Sequence, residues 1–99
     1  LVALYTTMIG EAARPEHPAH AWMLRHYQLV LDLLRDSIRA GQGRGVVREG
    51  APADQIARQT VALMDGLQVQ WLLDPTVDMA AVMQAHVDEL KTLWGTGAP

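Results

Sequence analysis

The chain has 99 residues, 49% of them apolar and none of them cysteine, and carries a formal charge of −3. That is enough for one modest core and too apolar for a disordered chain, and the missing cysteines exclude a disulfide frame and a thiolate metal site, which makes a reducing cytoplasm the expected setting. No apolar run approaches the ~18–20 residues of a membrane span, and the scattered basic side chains form no patch of the kind that grips nucleic acid.

Leu1 to about Ala13 is the first predicted helix. At about 100° per residue, Leu1, Val2, Leu4, Tyr5, Met8, Ile9 and Ala12 share one side, with Ala3, Thr7, Gly10 and Glu11 opposite. The chain opens inside this apolar pattern without an initiator Met or a capping residue, as expected of a piece of a longer protein. Arg14-Pro-Glu-His-Pro18 ends the helix, because proline removes a donor and fixes the backbone. His17 and His20 lie beside Glu16 and near Glu11, a spacing that can contribute to a metal site. No second ligand cluster accompanies them, so solvated loop side chains and no metal are expected.

The second helix is expected from about Ala19 to Ala40. Its polar side is narrow: Arg25, Gln28, Asp32, Arg35, Asp36 and Arg39. Exposed pairs at these spacings contribute only about 0.3–0.5 kcal/mol each. Its apolar arc is wide, from Trp22 and Met23 through Tyr27, Leu29, Val30, Leu31, Leu33 and Leu34 to Ile38, which places the helix in the middle of a bundle. His26 falls inside that arc, where a polar group needs a partner. Two readings stay open for it: a histidine satisfied by a neighbouring helix or a second chain, or a ligand contact. Gly41-Gln-Gly-Arg-Gly45 then ends the helix with glycines suited to a left-handed C-cap.

After a connecting loop over Val46 to Ala53, Pro52 stands where the first turn of the third helix is expected, and Asp54 sets negative charge near its positive end. This helix, about Pro52 to Leu73, would be ~32 Å long. Ile56, Thr60, Leu63, Leu67 and Trp71 form one stripe; Val61 and Leu72 lie on another face, and Ala62, Val69 and Leu73 on a third. A helix apolar nearly all round must be covered on several sides, and a chain this short has little to cover it with. A second copy of the chain is the natural supply. Asp65-Gly66 sits mid-helix, where Gly costs ~1 kcal/mol relative to Ala. Close approach of another helix is the expected reason, with Asp65 solvated or bonded at the interface. Asp74-Pro75 stops the helix, and Asp78 is the expected N-cap of a fourth helix carrying Met79, Val82, Met83, His86, Val87, Leu90, Leu93 and Trp94. Gly95 ends it, and Thr96 to Pro99 form a frayed tail.

The wording Ala62-Leu-Met-Asp-Gly-Leu-Gln-Val-Gln-Trp-Leu-Leu-Asp-Pro75, followed by Val77-Asp78, resembles the C-terminal effector and dimerisation domain of TetR-type transcriptional regulators. Trp22-Met-Leu-Arg25 after a His-Pro break, and Gly45-Val-Val-Arg48 before the third helix, are similar to that family too. The resemblance covers about Glu16 to Leu93. It implies a single regulatory domain over residues 1–99 that dimerises and senses a small, mostly apolar effector. Operator DNA would be reached only through the family's N-terminal helix-turn-helix domain, which is absent from these residues. The expected fold is all-α, an antiparallel bundle of about four helices whose last two form a four-helix dimer interface.

Within that frame the expected effector cavity is lined by Tyr5, Met8, Trp22, His26, Tyr27, Gln59, Leu63 and Met64, which combine adaptable apolar walls with a few polar handles. Each of these serves equally well as ordinary core. The expected dimer contacts are Val61, Gln68, Leu72, Val82, His86 and Leu93, which lie off the stripe facing the chain's own core. No nucleophile motif, P-loop or Gly-rich phosphate turn is present, so neither an enzyme nor a cofactor is expected. The rival reading is a stand-alone helical interaction module with no effector.

Overall fold

The computed structural model describes residues 1–99. It is all-helical: α1 spans Val2–Ala12, α2 His20–Gly43, α3 Ala53–Leu73 and α4 Met79–Trp94. α3 is the central element. It touches all three other helices, α4 touches α3 alone, and α2 packs on α3 and α1. The expectation that the second helix lies mid-bundle is therefore corrected, since one side of its apolar arc stays open, with Leu29 58% and Leu33 62% exposed.

The helix ends follow from local chemistry. α2 runs past Ala40 to Gly43, further than its glycines suggest, and closes in a Schellman motif. The Gly45 N–H donates to the Gln42 carbonyl at 3.0 Å and the Val46 N–H to the Gly41 carbonyl at 3.0 Å, with Gly45 at φ 76°. Gly41 is required for a different reason: a Cβ there would lie 2.6 Å from Val47 Cγ2. The Gln42 amide reaches the carbonyls of Arg48, Glu49 and Ala51 at 3.1–3.3 Å and so folds the α2–α3 loop around the helix end. Asp54, in the first turn of α3, faces Arg39 of α2 at 3.7 Å. Asp74 ends α3 by accepting from the Thr76 N–H and hydroxyl at 3.1 and 2.6 Å, and Asp78 caps α4 by accepting from the Ala81 N–H at 2.9 Å. Gly95 ends α4 as expected, but the chain beyond it does not fray at once. Val47 and Gly95 form an isolated antiparallel bridge, the Arg48 N–H donates to the Trp94 carbonyl at 2.8 Å, and the Thr96 N–H donates to the Val46 carbonyl at 3.1 Å.

The core is thin. The molecule is a slab of 44 × 33 × 16 Å, with a radius of gyration of 15.6 Å, where a compact domain of this length has about 13 Å. Nine residues are buried, and Met23, Ile56, Val61 and Leu67 are the only ones among them larger than Ala.

Candidate functional site

The helices α1, α2 and α3 converge on a cavity of about 150 Å³. α1 contributes Tyr5, and α2 contributes His26, Tyr27 and Val30. From α3 come Val61, Met64, Asp65 and Gln68, whose i, i+3, i+4, i+7 spacing sets them on one face. This volume is smaller than most drug-sized sites, which run to ~300–1,000 Å³, and matches an engineered apolar void of ~150 Å³ that takes up benzene.

Its polar groups are mixed: Asp65 only accepts, while the two tyrosine hydroxyls, the His26 ring and the Gln68 amide can both donate and accept. The Tyr27 hydroxyl donates to the Asp65 carboxylate, which joins α2 to α3. Burial, and then that hydrogen bond, push the Tyr27 hydroxyl well above its ordinary 10.0. Burial and the Asp65 charge also raise Tyr5. Both phenols therefore stay protonated. The His26 ring lies flat on Trp22, 5.2 Å away and 5° from parallel, and meets the edge of Tyr5 at 6.1 Å and 75°. Gln68 Oε1 is buried with no hydrogen-bond partner. No Lys or Arg lines the cavity. The arrangement offers a carboxylate and three aromatic rings, which together suit a guest that brings N–H or O–H donors or a positive charge.

Of the eight expected lining residues, the structure brings Tyr5, His26, Tyr27 and Met64 to the cavity. Trp22, 47% exposed, supports His26 from outside. Met8 and Leu63 are half-buried away from the lining, and Gln59 is exposed. On a helical wheel Gln59 and Leu63 fall about 150–170° round α3 from the cavity residues, so one helix cannot aim both sets at one void. Sequence reasoning missed Val30, Val61, Asp65 and Gln68; the one-turn spacing of the last three with Met64 was the available signal.

The expected dimer residues divide as well. Val61, 8% exposed, and Gln68 face the cavity inside the chain, which corrects their placement on an outer surface. His86 is half-buried and bonded within the chain: the Thr60 hydroxyl donates to the Ile56 carbonyl at 2.8 Å, so the His86 Nε2–H donates to Thr60 Oγ1 at 2.9 Å. Leu72, Val82 and Leu93 are 37%, 39% and 63% exposed. Nothing within the chain comes within 4 Å of a Cβ placed on Gly66, so the close approach expected there is not made by this chain's own helices. Ala62, Gly66, Val69 and Leu73 instead form an exposed outer strip of small and apolar residues along α3. His17 and His20 close the α1–α2 turn: the Ala19 N–H donates to His17 Nδ1 at 3.0 Å, and His20 Nδ1 donates to the Ala12 carbonyl at 2.7 Å.

A family model described as the C-terminal domain of BetI-type transcriptional repressors matches residues 3–92. Comparisons with curated proteins and with solved structures return no match.

Proposed function

We propose, from the premise that this chain belongs to the family of BetI-type repressor C-terminal domains among the TetR-type regulators, that it is a homodimeric, effector-sensing regulatory domain. Operator DNA is bound by a helix-turn-helix domain outside residues 1–99, and the effector occupies the α1–α2–α3 cavity. The observation that carries the effector assignment is the Asp65 carboxylate, set among aromatic rings in a lining that holds no Lys or Arg. That chemistry moves the expected effector from mostly apolar to a small molecule with an ammonium group or several donors, seated against aromatic rings.

The dimer reading is supported by the exposed strip on α3 and by the exposure of Leu72, Val82 and Leu93 on α3 and α4. Ala62 and Gly66 let a second helix come close, and Val69 and Leu73, 43% and 83% exposed, supply the area to bury. Signalling follows from where Tyr5 sits. It is the cavity's one residue from α1, so a guest that fills the void changes how α1 rests on α2 and α3. Such a guest shifts the population of domain arrangements only by its differential affinity for them.

The test is calorimetric titration and thermal shift with small alkylammonium ions against neutral alcohols of equal size. Ammonium ions are expected to stabilise the domain, and Asp65→Asn to weaken that effect about tenfold or more. Equal binding of the neutral alcohols, or ammonium binding unchanged in Asp65→Asn, would remove the effector assignment. A dimer that no small molecule stabilises would favour the stand-alone interaction module.

A further inference from the structure

The largest apolar hollow in the molecule is not the α1–α2–α3 cavity. A second hollow, which shares no lining residue with that cavity, measures about 470 Å³, within the ~300–1,000 Å³ usual for small-molecule sites. Ile38 of α2, Ile56 of α3, and Val87, Leu90 and Trp94 of α4 form its walls. Its end wall is built by the backbone. The Val47–Gly95 bridge and the bonds from Arg48 to Trp94 and from Thr96 to Val46 zip the α2–α3 loop to the chain after α4. Both strands of that zipper are pinned by close approach, since a Cβ on Gly41 would meet Val47 and a Cβ on Gly95 would lie 2.5 Å from the Lys91 carbonyl.

One ionisable residue, exposed, borders these walls. Lys91 is the only ionisable side chain lining the hollow, and it has no carboxylate within salt-bridge reach. The carbonyls of Lys91 and Trp94, at the negative end of α4, already accept from the Gly95 and Arg48 amides, so they do not compete for the ammonium. We infer that this hollow is a second ligand site, for an amphipathic monocarboxylate whose apolar chain fills the hollow and whose head meets Lys91. A lone ammonium matches a single negative charge. A phosphate monoester, with about −1.5 to −2 charges, calls for more donors than one lysine.

Dimerisation leaves this site open. On the α4 wheel, Val87 and Lys91 lie on one flank of the α3-facing stripe, and Val82 and Leu93 lie on the other, about 120–180° away. The outer strip of α3 is likewise on a different face from Ile56.

The three tryptophans make the test direct, because Trp94 alone lines the hollow. With fluorotryptophan incorporated, fluorine NMR is recorded while sodium dodecanoate is added, and Trp94→Phe assigns the signal. Dodecanoate is expected to move the Trp94 signal saturably, with those of Trp22 and Trp71 little changed. Lys91→Gln should weaken dodecanoate about tenfold and leave dodecanol unaffected; Val87→Phe, which places a ring in the hollow, should weaken both. Asp65→Asn should change neither, which separates this site from the other cavity. The inference is overturned if Trp22 responds instead, if Lys91→Gln leaves dodecanoate unaltered or weakens dodecanol equally, or if Val87→Phe has no effect. It is also overturned if the Trp94 signal responds only after Val82→Asp and Leu93→Asp separate the protomers, because a second copy then fills the hollow.

Discussion

Tyr27 and Asp65 form a side-chain bond between α2 and α3 at the edge of the cavity. Tyr27→Phe leaves the half-buried carboxylate without its donor, and denaturant unfolding is expected to show a loss of about 1–3 kcal/mol. The pair also sets a pH dependence. The Tyr27 hydroxyl is raised in the folded state above its ordinary 10.0, first by burial and then by Asp65. Its contribution is therefore complete below pH 10 and is lost as pH rises towards the folded-state value. Melting temperature should fall above pH 10 in the parent chain and fall less steeply in Tyr27→Phe; the slope is modest because the residue is only half-buried. His26 behaves differently. It stacks on Trp22 and makes no hydrogen bond within the chain, so His26→Leu strands no partner. That substitution should move the melting point by less than the equivalent of ~1 kcal/mol while altering the affinity for ammonium guests. A large loss of stability would show that His26 holds the fold and not the ligand.

At the level of elements, the two glycines near the end of α2 make opposite predictions. Gly41 and Gly43 both lie in the helix, and neither has a positive φ. Gly41→Ala drives a methyl against Val47 and should destabilise by about 1–3 kcal/mol, as overpacking does. Gly43→Ala meets nothing within 4 Å and should stabilise by about 0.5–1 kcal/mol through the unfolded chain. Thermal melts of the pair separate a packing requirement from a helix-propensity effect. At the other junction, Asp78→Ala removes the acceptor of the Ala81 N–H and should cost about 1 kcal/mol. Asp74 is held below the usual carboxylate range by its bonds from the Thr76 hydroxyl and amide. The turn between α3 and α4 is therefore favoured at neutral pH, and that contribution is lost as pH falls through the depressed value.

For the molecule as a whole, the slab cannot enclose its own apolar surface. Leu4, Leu29, Leu33, Leu73 and Leu93 are each more than half exposed, and no large side chain is fully enclosed. An isolated chain of this length is marginal with so thin a core. In the proposed dimer a second copy on the α3–α4 face would supply the missing cover, through an interface expected to be at least the standard ~1,600 Å². Sedimentation should therefore give a dimer at micromolar concentration. Leu73→Asp with Leu93→Asp should produce a monomer that melts lower and at a concentration-independent temperature. A well-folded monomer in the parent chain would count against the dimer. The same residues 1–99 should show no sequence-specific gel shift, given the charge of −3 and the absence of a recognition helix from α1 to α4.

Elements and their ends were legible in the sequence because they depend on near neighbours. The four helices, the break at Arg14–Pro18, the stop at Asp74-Pro75 and the Asp78 cap all follow from periodicity, proline and capping within a few residues. The stripe Ile56, Thr60, Leu63, Leu67 and Trp71 could also be read, and all five are buried or half-buried. What periodicity supplies is an angle around each helix, not the neighbour at that angle. Gln59 and Leu63 share a helix with Asp65 and Gln68, and only the crossing of α1 and α2 over α3 decides which pair meets the void. Val61 and Leu72 share a face on the wheel, yet the first is covered and the second open, a difference that the wheel does not contain. The hollow at Lys91 joins α2, the loop after it and the end of α4, segments some fifty residues apart. No local pattern encodes that meeting; it exists because backbone bonds between Val46–Arg48 and Trp94–Thr96 bring the two ends together.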